Sequence, residues 1–241
     1  MNSRDDDIII LNETWDNKLN VSGYNSLSNI RMNQRGGGVA ILAKDHFEIK
    51  LMDNSIKDTL AVKVFIGRSK YLLIITSYFP CSFKSDLWGK RWEDLIEIIG
   101  KYSVSKENAN IIIGCDFNKD ISEDPLLIEQ LNILNLKIIQ NTHGPTYELN
   151  RKKSKIDHII VSKNLDTEEL NLHKSISDHK ILSVVINNIE EVQRNRVKLI
   201  NRNLSMKITQ DSLKSATSLQ KFFENHQNEC RTHKRQLRKK I

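Results

Sequence analysis

The sequence has little cysteine and no long apolar run. Its three cysteines, Cys81, Cys115 and Cys230, are odd in number and form no CxxC pair. A disulfide framework or a structural zinc site is therefore not expected, and a reducing compartment is favoured. No stretch approaches the roughly 18 apolar residues that cross a bilayer, and residues 1–7 are unlike a signal peptide. We expect a protein of the nucleus or cytoplasm, not secreted and with no membrane partner.

The charge is distributed unevenly along the chain. Residues 189–241 contain 13 Lys+Arg against 5 Asp+Glu, whereas the whole chain of 241 residues has 37 against 30. Such a basic segment is compatible with attraction to nucleic acid and equally with a solvated linker. We predict one domain at 1–188, a boundary near 187–192, and a basic linker or tail at 189–241 that is mostly helical or disordered.

One buried strand ends in two polar residues that suit phosphate chemistry. The isoleucine run Ile111–Ile113 predicts a short strand, and it leads through Gly114 and Cys115 to Asp116 and Asn118. Side chains two residues apart on a strand share one face. An acid that can hold a metal or a proton, beside an amide that can donate to a phosphate oxygen, suggests a phosphoesterase site.

The same pattern, an apolar run with polar residues at its end, recurs elsewhere in the chain. The recurrences are Ile8–Leu11 before Glu13, Tyr71–Ile75 before Tyr78, Ile156–Val161 with Asp157, and Ser177-Asp178-His179 before Ile181–Ile186. Proteins of the α/β class build sites from the ends of several strands in this way.

Periodicity predicts many strands and few helices. The strands lie near 8–12, 38–43, 60–66, 71–78, 111–115, 156–161 and 181–186. A stripe at helical spacing, formed by Trp88, Trp92, Leu95 and Ile99, predicts a helix whose aromatic residues face the core. A second helix is predicted from Ser122 to about Leu134, with Pro125 in its first turn. Without strict βαβ alternation, a mixed sheet or a pair of packed sheets is favoured.

The ordered set of motifs resembles the endonuclease/exonuclease/phosphatase superfamily, which includes DNase I. The motifs are Glu13, Tyr78, Asp116-Phe117-Asn118, Ser154–Asp157 and Ser177–His179. Arg35–Ile41, together with Tyr78–Pro80 and Ser154–His158, is similar to the endonuclease domain of non-LTR (LINE-type) retrotransposons. The resemblance covers about residues 8–187. It implies a DNase I-like four-layer α/β sandwich, with two packed mixed β-sheets flanked by helices.

The resemblance also implies roles for individual residues. Glu13 would be the principal ligand of Mg²⁺, with Mn²⁺ as an alternative, since hard oxygen donors suit these ions. Asp178 would assist the metal or its water. His179 would be the general base, and Asp157 would fix its tautomer. Asp116 would orient the nucleophile or protonate the leaving oxygen.

Two further residues are assigned to the phosphate. Asn118 would donate a hydrogen bond to a phosphate oxygen, and Tyr78 would do the same from the opposite side. For Tyr78 the residues alone favour a place in the core or at its rim.

The sequence departs from the family pattern at its beginning. Family members carry a first strand with an asparagine, then a helix, and only then the strand that ends on the metal-binding glutamate. Here the glutamate is already residue 13. We therefore expect a truncated domain with an exposed sheet edge, weakened stability and impaired activity.

The leading prediction is a metal-dependent DNA-nicking endonuclease derived from a non-LTR retrotransposon, whose parent protein carries a reverse transcriptase domain downstream. Two alternatives remain open. One is a phosphatase or phosphodiesterase of the same fold that acts on small molecules. The other is a degenerate, non-catalytic remnant that binds nucleic acid, which the missing strand favours and the intact site residues oppose.

Overall fold

The computed structural model describes most of the chain before residue 188 and one strand beyond it. The described residues are 6–14, 19–29, 37–53, 55–67, 70–81, 85–103, 110–187 and 197–203. They fall within one compact unit, Asp6–Ser205. Residues 204–241, where the sequence predicts helix or disorder, lie outside the described residues. None of the described helices is long and apolar enough to cross a membrane.

The described residues form short strands and two helices. The strands are β1 (Ile8–Asn12), β2 (Tyr24–Asn29), β3 (Val39–Lys44), β4 (Glu48–Asp53), β5 (Thr59–Phe65), β6 (Tyr71–Ser77), β7 (Asn110–Asp116), β8 (Leu136–Ile138), β9 (Tyr147–Leu149), β10 (Lys152–Ser154), β11 (Asp157–Ser162), β12 (Asp166–Thr167), β13 (Asn171–His173), β14 (Ile181–Asn187) and β15 (Val197–Asn203). The helices are α1 (Ser85–Ser103) and α2 (Pro125–Ile133).

The strands of the described part form two large sheets and one separate hairpin. The first sheet has the order β12-β14-β15-β1-β3-β2, with β13 also paired to β14. The second has the order β4-β5-β6-β7-β11-β8, and β9 pairs with β10 alone. Each large sheet contains one parallel pair, β1 with β15 and β6 with β7, among antiparallel pairs. Both sheets are therefore mixed.

The two sheets pack against each other through alternate residues of their strands. Ile8 and Ile10 on β1 belong to the same buried cluster as Ile74 on β6 of the second sheet. Ile9 and Leu11 belong to a different buried cluster, as the alternation of side chains along a strand requires. The predicted pair of packed mixed sheets is confirmed.

The helices pack on the outer face of the second sheet. The predicted stripe on α1 is buried in the cluster that covers this face. That stripe consists of Trp88, Trp92, Leu95 and Ile99. Helix α2 begins at Pro125 rather than at Ser122, because the side chain of Asp124 caps it by accepting a hydrogen bond from the backbone N–H of Leu127 at 3.3 Å.

Eight of the described strands lie where the sequence predicts none, namely β2, β4, β8, β9, β10, β12, β13 and β15, and of these only β15 lies beyond residue 188. We expected the strands to end at 186 and the domain to have an exposed sheet edge. Instead, β15 pairs in parallel with β1 and in antiparallel with β14, and so occupies the position between them. The short apolar run Val197-Lys198-Leu199-Ile200 carries this strand.

Candidate active site

The predicted site residues come together at one edge of the packed sheets. Strands β6 and β7 are parallel, so Tyr78, which follows β6, and Asp116, which ends β7, lie at the same edge and form a β-bridge. Strand β11 is antiparallel to β7, and its first residue, Asp157, lies directly opposite Asp116. Glu13 follows β1, and His179 precedes β14. The topology thus brings distant parts of the chain to one place.

Asp116, Asp157 and His179 form the centre of the site. Nδ1 of His179 lies 2.9 Å from Oδ2 of Asp157, and Nε2 lies 3.9 Å from Oδ2 of Asp116. One ligand atom from each residue lies within 4.8 Å of the others, a spacing that could hold a metal ion. Both carboxylates are buried. An imidazole held between two carboxylates can accept and release protons in a fixed orientation.

The pKa values of this group are displaced by burial and by mutual interaction. Burial lowers the pKa of His179, but the hydrogen bond and charge of Asp157 and the charges of Asp116 and Asp178 outweigh it and raise that pKa to about 9. Burial and then the charge of Asp157 raise the pKa of Asp116 to about 8, although His179 opposes the shift. The site therefore carries strong negative potential and binds protons tightly.

Glu13 and Tyr78 form a second part of the site. Burial and then the charge of Glu13 raise the pKa of Tyr78 well above its usual value, and the Tyr78 hydroxyl donates a hydrogen bond to this carboxylate. Glu13 is half-buried and has a positive φ of 55°. Its charge also contributes to the raised pKa of Asp116. Glu13 therefore acts on the central group without being one of its three members.

Asn118 lies at the site in a constrained conformation. Its φ is 51°, and its backbone N–H donates to Oδ1 of Asp116 at 2.9 Å. Its side-chain Nδ2 donates to the backbone oxygen of Phe79 at 2.9 Å. Asparagine tolerates this left-handed conformation better than most residues. These bonds fix both Asn118 and the carboxylate of Asp116.

Asp178, the predicted assistant of the metal, lies beside the central group. Its charge is one of the causes that raise the pKa of His179. Its backbone oxygen accepts a hydrogen bond from the N–H of Glu148 at 2.8 Å, which connects the His179 loop to the hairpin of β9 and β10. Like Glu13, Asp178 is not a member of the three-residue group.

Thr146 supports the site, and its role is not evident from the sequence. Its buried hydroxyl oxygen accepts hydrogen bonds from the backbone N–H groups of Ile156 and Asp157 at 3.0 and 3.1 Å. Its backbone oxygen accepts from the N–H of Lys180 at 2.6 Å. A single residue thus anchors the chain on both sides of the Asp157–His179 pair.

Asn12 joins the two sheets immediately before Glu13. It is fully buried, and its Nδ2 donates to Oγ1 of Thr76 and to the backbone oxygen of Ser77, both at 3.1 Å. Among the described residues, Asn12 Oδ1 and Thr14 Oγ1 have no hydrogen-bond partner. Buried polar atoms of this kind on both sides of Glu13 mark a place built for polar chemistry.

Comparison with protein families identifies the fold family. A family model described as the Endonuclease/Exonuclease/phosphatase family matches residues 1–179. The chain belongs to this family. The matched range contains all seven predicted site residues, from Glu13 to His179. A sequence search of curated proteins gives no match. Members of the endonuclease/exonuclease/phosphatase family hydrolyse phosphate esters, and this chain is accordingly assigned as a hydrolase of that kind.

Solved structures of this family share the fold. The endonuclease domain of TRAS1, a telomere-specific non-LTR retrotransposon, is 15% identical, with a TM-score of 0.58 over 77% of this chain and 87% of that one. Truncated Caenorhabditis elegans TDP2 is 14% identical, with a TM-score of 0.55 over 75% and 84%. The Bacteroides thetaiotaomicron mannosyl-6-phosphatase Bt3783 is 15% identical, with a TM-score of 0.51 over 68% and 77%. The predicted DNase I-like fold is confirmed.

Proposed function

We propose that this chain is a Mg²⁺-dependent endonuclease that nicks DNA and derives from a non-LTR retrotransposon protein with a reverse transcriptase domain downstream. The observation that carries the proposal is the group formed by buried Asp116 and Asp157 with half-buried His179, at the strand ends of a chain of this family. The similarity in fold to a retrotransposon endonuclease domain supports it.

The central group supplies both proton transfers of a hydrolysis. Because Nδ1 of His179 is bonded to Asp157 at 2.9 Å, Nε2 is left to accept a proton from the attacking water. Asp116, whose pKa is raised to about 8, holds a proton near neutral pH and delivers it to the leaving oxygen. Asp157 does not touch the substrate but holds the imidazole in one tautomer.

The acidic residues fit a hard divalent cation. Glu13 and Asp178 add two carboxylates beside the central group. Burial and then the charges of Asp157 and Glu13 raise the pKa of Asp116, and this negative charge would attract a hard cation. Mg²⁺ or Mn²⁺, held by Glu13 and Asp178, would supply positive charge at the phosphate and would favour the neutral form of His179, which is the form that accepts a proton. The residues present therefore fit the metal that the family resemblance implies.

Two donors of the site are available to a phosphate in the proposed reaction. Asn118 uses one amide hydrogen to fix its side chain to Phe79, which leaves the second for a phosphate oxygen. The hydroxyl of Tyr78 remains protonated because its pKa is raised; its single O–H bonds Glu13 in this structure and would turn to the phosphate when a metal engages that carboxylate. Donors aimed at a phosphoryl group stabilise the charge that develops during its transfer.

A basic hairpin beside the site favours a polyanionic substrate. Strands β9 and β10 are joined by Asn150 and Arg151, and Arg151, Lys152 and Lys153 are exposed on this hairpin. Tyr147, at its base, places its ring 4.9 Å from that of His179. Exposed cations on a hairpin whose base contacts His179 would suit the phosphates that flank the scissile bond of a nucleic acid.

A plasmid-nicking assay tests the proposal. The full chain is incubated with supercoiled plasmid and Mg²⁺, with and without EDTA, beside the variants His179→Ala and Glu13→Gln. We expect EDTA-sensitive conversion to the open circle, reduced about 100-fold or more in both variants. His46→Ala, at an exposed histidine outside the site, is the matched control and should nick like the parent chain.

The same assay separates the alternatives. Retention of plasmid in a gel without nicking would indicate a non-catalytic nucleic-acid-binding remnant. Turnover of small phosphoesters alone would indicate the phosphatase function that the similarity in fold to Bt3783 keeps open. Nicking that survives EDTA, or that His179→Ala leaves intact, would contradict the proposed mechanism.

A further inference from the structure

We propose that β15 is a required strand of the catalytic domain, supplied from the segment that the sequence assigns to the linker, and that it sets the distance between Glu13 and His179. On this basis the catalytic domain extends through residue 203 rather than ending near 188. The inference concerns the assembly of the site and does not depend on the proposed substrate.

Strand β15 is the connection between the two parts of the first sheet. On one side lie β1, β3 and β2, and on the other lie β14, β12 and β13. Neighbouring strands are about 4.8 Å apart, so β15 fills a slot about 10 Å wide between β1 and β14. Without it, both strands would have unpaired backbone groups inside the domain, and five consecutive residues of β1, all buried, would form a sheet edge.

The two strands that β15 joins both carry parts of the site. Strand β1 leads into Glu13, and β14 follows directly on the loop that contains His179. Because β15 is parallel to β1 and antiparallel to β14, its carboxyl end lies at the edge where the site is built. The register pairs Asn203 with Asn12, the residue immediately before Glu13. The strand therefore positions the metal-binding side of the site relative to the base.

The register pairs β15 with buried residues of both neighbouring strands. Leu199, Asn201 and Asn203 pair with Ile8, Ile10 and Asn12, the residues of β1 that face the second sheet. On the other side, Leu199 pairs with Val184 of β14, which belongs to the same buried cluster. The apolar positions of the short run Val197–Ile200 thus suit a strand between two buried neighbours.

We assign β15 to the same chain rather than to a second copy. Strands β14 and β15 are antiparallel neighbours, and Ile186 pairs with Val197 near their adjoining ends. Only residues 188–196 connect them, a length that a local connection between antiparallel strands covers easily. Exchange of this strand between two copies would instead require a dimer.

A proline scan of the full chain tests the inference. Ile200→Pro removes a backbone N–H and introduces a ring in the middle of β15, where both neighbours need the ladder. Ile208→Pro, the same change beyond the strand, is the matched control. We expect Ile200→Pro to lower Tm by about 10 °C and Ile208→Pro to leave it within about 2 °C.

Hydrogen exchange followed by mass spectrometry locates the effect. In Ile200→Pro we expect amides of β1 and β14 to lose protection while those of β6 and β7 in the second sheet retain it. Unchanged exchange, or equal losses in both proline variants, would overturn the proposal. If Ile200→Pro does not fold, the chain shortened after Asn187 is mixed with a peptide of residues 192–205. Restored protection of β1 by this peptide, but not by a scrambled one, is the expected result.

Two further readouts complete the test. Light scattering should show a monomer, and hydrogen exchange should show that β1 is fully protected in this monomer. A dimer whose dilution removes the protection of β1 would overturn the assignment of β15 to the same chain. Nicking should fall at least about tenfold in Ile200→Pro and persist in Ile208→Pro, since misplacement of catalytic groups by about 1 Å is costly. If the parent chain does not nick, the proposed function fails, but the stability and exchange measurements still decide the role of β15.

Discussion

Asp157→Asn offers a direct test of how the site controls His179. The substitution keeps the shape of the side chain but removes the negative charge 2.9 Å from Nδ1 of His179. Burial has the largest effect on the pKa of this imidazole and lowers it; without the charge of Asp157, only Asp116 and Asp178 still raise it. We expect the pKa of His179 to fall from about 9 towards its ordinary value of 6.5. A fall of this size is about a 300-fold loss of proton affinity, or roughly 3 kcal/mol.

Nuclear magnetic resonance can follow this change directly. The ring carbon-bound protons of His179 are titrated in metal-free protein, in the parent chain and in Asp157→Asn. Asp166→Asn removes a carboxylate from an exposed position on β12 and serves as the matched control. It should leave the titration of His179 unchanged. A midpoint that stays near 9 in Asp157→Asn would refute the conclusion that Asp157 is the main source of the raised pKa.

The same variant should be a poor catalyst for a separate reason. An asparagine amide can donate to Nδ1 and so stabilise the tautomer in which Nε2 carries the hydrogen. That tautomer cannot accept a proton from water at Nε2. We expect kcat to fall about 100-fold or more with little change in KM, since Asp157 does not contact substrate in the proposed reaction. A large rise in KM at unchanged kcat would contradict a role in positioning the base.

Three further predictions concern stability. Thr146→Val leaves two buried N–H groups without their acceptor and should lower the free energy of unfolding, measured in urea, by about 2–4 kcal/mol. Thr142→Val, at an exposed position, should lower it by less than about 0.5 kcal/mol. Because the pKa of His179 is raised on folding, its contribution is complete below pH 6.5 and lost as pH rises through about 9, so metal-free protein should be more stable at acidic than at alkaline pH. Mg²⁺ should raise Tm in the parent chain and much less in Glu13→Gln; equal shifts would remove Glu13 from the metal site.

The strand ends that carry chemistry could be predicted because their signals are local. The isoleucine run before Asp116 forms β7, and the run before Glu13 forms β1. The aromatic stripe on α1 packs against the second sheet as its spacing predicts. In each case a short segment contains both the apolar pattern that makes the element and the polar residue that follows it. The roles assigned to the site residues remain predictions.

The residues that fix the site by hydrogen bonds could not be predicted, because no local sequence pattern marks them. Thr146 acts through hydrogen bonds to Ile156 and Asp157, ten and eleven residues away, and Asn12 bonds to Thr76 and Ser77, more than sixty residues away. A threonine or an asparagine in a sequence does not show which distant backbone group it will meet. Such contacts follow only from the three-dimensional arrangement of the sheets.

Strand β15 shows why a weak pattern can decide a fold. Val197–Ile200 is shorter and more polar than β1 or β7, and alone it would not hold a strand. The segment forms a strand because it lies between β1 and β14, where its backbone groups pair on both sides and cover two edges that would otherwise be exposed. Its formation is therefore a property of the sheet rather than of the segment. Glu13 and His179 lie on opposite sides of this strand, so the distance between them depends on β15, a segment beyond residues 1–179 that match the family model.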